Sequence, residues 1–124
     1  MMKNEFIPYE QALALKELGF DEPCLEAYDK NGMLYYSITD KLVSALNFNL
    51  NTPCLAPLYQ QAFRWFREKY QLHSTITSIS QESWQWHITK PGESLGKLYD
   101  EDFYNYEEAE LACLNKLIEL IKTK

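Results

Sequence analysis

The chain has 124 residues, 46% of them hydrophobic and 15% aromatic, and carries a formal net charge of −6. That length fits one domain with a self-sufficient core, and the apolar content excludes a chain disordered along most of its length. The acidic balance opposes binding to a phosphate backbone and so argues against a nucleic-acid partner. No apolar run of about eighteen residues is present to span a membrane as a helix.

The charge is unevenly spread. Residues 1–40 carry eight acids against three lysines, residues 100–124 seven acids against three lysines, and residues 41–99 six bases against three acids. The three cysteines, Cys24, Cys54 and Cys113, form no CxxC or CxxH spacing, which leaves no zinc knuckle or redox pair to read. With no signal-like apolar run at the start, the expected compartment is the reducing cytoplasm.

In chain order, a first helix is predicted from Pro8 to Leu18. Ala12, Leu15 and Leu18 recur at helical spacing, Pro8 suits the first helical position, and Gly19 followed by Phe20 spells a Schellman-type stop in which Phe20 returns to Leu15. A hairpin follows, with strands Cys24–Tyr28 and Met33–Ile38 around Asp29-Lys30-Asn31-Gly32. Residues 40–56 read as a loop, on the strength of Asn47, Asn49, Asn51 and Pro53, or as a short helical turn through Leu42, Val43 and Leu46.

A second helix is predicted over Pro57 to Tyr70, with Tyr59, Ala62, Phe63, Phe66 and Tyr70 as its core stripe and Trp65 beside it. A second hairpin pairs Ser74–Ser80 with Ser83–Thr89, where Trp84, Trp86 and Ile88 point inward and Gln85 and His87 outward. An irregular fifth strand is expected within Leu98–Tyr106. The closing helix, Glu107–Lys122, has acids at its start and lysine at its end, in accord with its dipole, and a broad apolar face of Leu111, Leu114, Leu117, Ile118 and Ile121.

A shift of fifty residues superposes two α-β-β units, 8–39 and 57–89, without a gap. Tyr9, Gln11 and Ala12 meet Tyr59, Gln61 and Ala62, and Leu34, Tyr36, Ile38 and Thr39 meet Trp84, Trp86, Ile88 and Thr89. Duplication and convergence on a common pattern both account for this. The order α-β-β-α-β-β-α predicts a single α+β domain over residues 1–124, an antiparallel sheet packed against helices and closed by the helix 107–122.

Chemistry is sparse in this sequence. No phosphate-binding glycine loop and no cofactor motif is present, and His73 and His87 have no spacing that demands a metal. No catalytic residue is assigned. A hydrolase would need a histidine and a thiol or carboxylate brought together by folding. Arg64, Arg67 and Lys69 make a possible basic strip on the second helix. Gln85 and His87 make a possible ligand face on the outer side of the sheet. Asp100, Glu101 and Asp102 with Phe103 and Tyr104 combine negative charge and aromatic anchors, a mixture that suits a protein interface.

The stretches IPYEQALALKELGF (7–20), QQAFRWFREKY (60–70) and YEEAE (106–110) resemble small uncharacterised phage and prophage proteins of Bacteroides-type gut bacteria. That resemblance brings no activity or site with it. It implies a phage or mobile-element setting, in which small acidic domains act on other proteins. The leading expectation is a non-enzymatic protein-interaction module. The alternative is a small ligand- or nucleic-acid-binding domain that uses the outer sheet face, and a hydrolase is third.

Overall fold

The computed structural model describes residues 5–22, 24, 26–28, 31–36, 54–92 and 102–123, with the backbone alone at 34–36 and 54. The fold is α+β in the order α-β-β-α-β-β-α, with one further short strand ahead of the second helix. The chain divides into two compact units, Met1–Gln61 and Ala62–Lys124.

In the first unit, α1 spans Tyr9–Glu17. Pro8 stands one residue before the first helical position, as an extended N-cap whose carbonyl accepts the Ala12 N–H at 2.9 Å. The stop is of the Schellman kind. Gly19 adopts φ +101°, its N–H donates to the Lys16 carbonyl at 3.0 Å, and the Phe20 N–H donates to the Leu15 carbonyl at 3.0 Å. Leu15 and Phe20 are both buried.

Strand β1 (Glu26–Tyr28) pairs antiparallel with β2 (Leu34–Tyr36) in the register Glu26↔Tyr36, Ala27↔Tyr35 and Tyr28↔Leu34. Of the Asn-Gly pair, only Gly32 takes positive φ, at +80°, so the connection is not a two-residue turn with both central residues left-handed. Glycine is needed there twice over, because a Cβ would also stand 3.2 Å from the Tyr9 ring.

The other edge of β1 is filled by β3 (Cys54–Ala56), giving the order β2-β1-β3. Sequence reasoning had only a loop or helical turn here, and residues 40–53 lie outside the described residues. The chain then pairs with the segment ahead of α1. Phe6 bridges Leu58, and the Ile7 N–H donates to the Pro57 carbonyl at 3.0 Å. These bonds use Pro57 and Leu58 as extended backbone, which is why α2 begins at Tyr59 rather than at Pro57.

Helix α2 spans Tyr59–Tyr70, and the division between the units falls inside it. Ala62, Phe63 and Phe66 are buried as the stripe requires, and Trp65 is buried with them. The helix ends without glycine. Gln71 takes φ +60°, and the Leu72 N–H reaches back to the Phe66 carbonyl at 3.3 Å.

In the second unit, β4 (His73–Ser80) and β5 (Ser83–Thr89) form a two-stranded antiparallel ladder, His73↔Thr89 through Ser78↔Trp84, with a bulge between Ser78 and Ser80. Helix α3 (Tyr106–Lys122) packs against β5 and β4. Trp86, Ile88, Ala109, Cys113, Leu114, Leu117 and Ile118 are buried in that layer. Each of the larger aliphatic side chains contributes about 1.5–3 kcal/mol by leaving water. Trp84, expected inward with Trp86, is half-buried and packs edge-on against Tyr106 at 5.5 Å.

Candidate functional site

The surface with the most definite construction lies where the chain enters α3. Phe103 adds one rung to the free side of β5. The Trp84 N–H donates to the Phe103 carbonyl at 2.8 Å, and the Phe103 N–H donates to the Trp84 carbonyl at 2.9 Å. Asn105 caps α3, its Oδ1 accepting the Glu108 N–H at 2.8 Å. Glu108 reaches back in turn, and its Oε2 accepts the Tyr104 N–H at 3.3 Å. This reciprocal arrangement is close to a capping box, spelled by Asn105-Tyr106-Glu107-Glu108. Sequence reasoning had missed it by starting the helix at Glu107 and reading its acids only through the dipole.

Within this fixed segment, Asp102 Oδ1 accepts a hydrogen bond from Gln85 Nε2 at 2.6 Å. The Gln85 bond, followed by one from Ser83, holds the Asp102 carboxyl below its usual range, so the group is a carboxylate at neutral pH. Tyr104 beside it is 77% exposed, among the largest exposed apolar surfaces of the described residues. Phe103 is half-buried.

The two surfaces that the sequence offered separately are therefore partly one. Gln85, from the candidate ligand face, is joined to Asp102, from the candidate interface. His87, two residues on, is half-buried and sits across from Thr75 in the ladder. Asp100 and Glu101 lie outside the described residues.

The candidate basic strip is present but divided. Arg64, Arg67 and Lys69 are all exposed on α2. Arg64 Nε lies 3.9 Å from Glu68 Oε1, an exposed pair of small energetic weight. Lys69 Nζ lies 5.0 Å from the centre of the Trp65 ring and 5.6 Å from that of Tyr70. With a carboxylate in its midst and one ammonium lying over aromatic rings, the row is a mixed surface rather than a continuous cationic track.

Reactive groups fare less well as a site. Cys24 and Cys113 are both buried. Burial beneath the second hairpin pushes the Cys113 thiol up to about 12, against a smaller opposing effect of its hydrogen bond with Ser74. It stays a thiol at neutral pH and lacks the thiolate character of a nucleophile. Among the described residues no group of three His, Cys, Asp or Glu side chains is placed to hold a metal ion. Among them, too, no helix is long and apolar enough to cross a membrane.

No protein-family model, curated protein or solved structure matches the chain.

Proposed function

We propose that the chain is a non-catalytic protein-interaction module that engages a basic segment of a partner through Asp102, Phe103 and Tyr104. The observation that carries this reading is a 77%-exposed tyrosine two residues from a carboxylate, on a backbone held by the Phe103–Trp84 rung and the Glu108 bond. A backbone already ordered loses little freedom on binding, and tyrosine beside charge is a frequent anchor of protein interfaces. The net charge of −6 favours a cationic partner and speeds its encounter. The resemblance of the three helical stretches to small phage and prophage proteins supports a mobile-element origin and a host protein of the bacterial cytoplasm as the partner. A small-ligand reading of the outer sheet face has less support, since the Gln85 amide is already engaged by Asp102.

The test is a comparative capture from the lysate of a Bacteroides-type gut bacterium, with wild type and the Asp102→Asn/Tyr104→Ala variant as baits. A protein retained by the wild type, and bound about tenfold or more weakly by the variant, supports the reading. Equal retention by both baits, or no stoichiometric partner for the wild type, sinks it.

A further inference from the structure

The outer edge of β4, eight residues long, is the longest strand edge of the described residues that no other strand covers. His73–Ser80 contains no lysine, arginine, acid or proline, although 24% of the chain is charged. Natural edge strands are commonly protected from pairing by such residues. Thr75 and the run Thr77–Ser80 are exposed, and Ile79 is 56% exposed. Among the described residues no strand pairs with this edge.

The geometry of the ladder tells which backbone groups face outward. Trp84 spends both its N–H and its carbonyl on Phe103, on the side of β5 away from β4. Antiparallel strands alternate strictly, so Trp86 and Ile88 also turn their backbone groups away from β4, while Gln85, His87 and Thr89 turn theirs toward it. Across the ladder, Thr77, Thr75 and His73 bond to β5, and Ser78, Ile76 and Ser74 present their N–H and carbonyl groups to the open edge.

Those residues belong to a palindrome. Ser74-Thr75-Ile76-Thr77-Ser78 reads the same in either direction. We infer that β4 is a self-association edge, which pairs antiparallel with β4 of a second copy of this chain about a two-fold axis at Ile76. In that register Ile76 meets Ile76, Ser74 meets Ser78 and Thr75 meets Thr77 of the second copy. All residues with outward backbone groups face one another as hydrogen-bonded pairs, and each side chain meets its own kind. The preference for a second copy over an arbitrary peptide rests on this self-complementarity. It also rests on charge, because two acidic chains repel wherever acids meet, and this strand contains none.

The first unit supplies an internal precedent. Fifty residues earlier, β1 lies at the position of Ile76–Ser78, and its corresponding edge is filled by an antiparallel strand, β3. A single short strand pair buries less than the roughly 1,200 Å² of a stable interface, so the dimer is weak and appears at high protein concentration.

The experiment uses the whole chain in sedimentation velocity over a dilution series. Wild type is expected to shift from monomer to dimer as concentration rises. Thr75→Lys/Thr77→Lys sets like charges opposite each other and is expected to weaken the dimer about tenfold or more, as is Thr75→Glu/Thr77→Glu. Mixing the two variants restores association as a heterodimer, a result that misfolded chains would not give. A wild type that stays monomeric at every concentration overturns the inference, whether or not it takes up an extended peptide. Homodimers that form equally well in both charged variants overturn it too.

Discussion

The two hairpins of this chain share one register and differ in what completes them. Adding fifty to each number turns Glu26↔Tyr36, Ala27↔Tyr35 and Tyr28↔Leu34 into Ile76↔Trp86, Thr77↔Gln85 and Ser78↔Trp84, all of which are observed pairs. In the first unit the segment before the next helix adds to β1, whereas in the second it adds to β5 as the single rung at Phe103. One local plan thus leaves opposite edges without a neighbouring strand among the described residues. Register is set within the hairpin by strand and turn, while the choice of edge depends on where the following chain returns.

The two largest expected effects test the layer beneath the second hairpin. The Cys113 thiol lies far above its ordinary value of 9.0, at about 12, so the folded state favours the protonated form. That contribution is complete below the unfolded value and is lost as pH rises from about 9 toward about 12. It amounts to as much as about 4 kcal/mol, at ~1.4 kcal/mol per unit. Urea titrations of wild type and Cys113→Ala across this range should show the steeper alkaline loss in wild type. Parallel curves would mean that the thiol ionises freely and that α3 does not seal the second hairpin.

Leu117→Ala, in the same layer, is expected to cost about 2–5 kcal/mol through lost burial and the cavity left behind. Chemical denaturation gives the number. The comparison sharpens if the backbone amides of β4 and β5 lose exchange protection while those of β1 keep theirs.

The hairpin turns supply a smaller contrast. Gly32 is left-handed and close to the Tyr9 ring, whereas its counterpart Glu82 has no positive φ. Gly32→Ala should therefore destabilise by about 1–2 kcal/mol, while Glu82→Ala should fall within ~0.5 kcal/mol of wild type. Equal effects would erase the distinction between the turns.

The smallest effect concerns the helix endings. α1 stops on a glycine and α2 on left-handed Gln71. Gln71→Gly is expected to raise stability by up to about 1 kcal/mol, the relief at a strained φ being partly offset by added freedom of the unfolded chain. A drop in thermal midpoint would mean that the Gln71 side chain contributes a contact that outweighs its backbone.

These contrasts follow the limit of what local sequence carries. All three helices were legible from the spacing of Leu15, Phe66 and Leu114 with their neighbours, and the second hairpin from the alternation at Trp84–Ile88. Gly19-Phe20 announced its cap in full. What stayed hidden was non-local. Strand β3 is three residues long, follows an asparagine-rich stretch, and exists because β1 is there to receive it. Leu58 looked helical and is instead taken by Phe6. At the candidate site, Asp102, Phe103 and Tyr104 stood out by composition. The bond from Gln85 did not, since nothing in a one-dimensional pattern brings residues 85 and 102 together.

Ile7 shows what such long-range pairing does to the order of opening. Its amide is bonded to Pro57, and its carbonyl accepts the Tyr28 hydroxyl at 2.6 Å, so one residue ties three distant stretches of chain. Neither bond can be released by fraying of α1 alone. Deuterium should therefore enter the Ile7 amide only when the entire first unit comes apart, which makes that one proton a gauge of how cooperatively it unfolds.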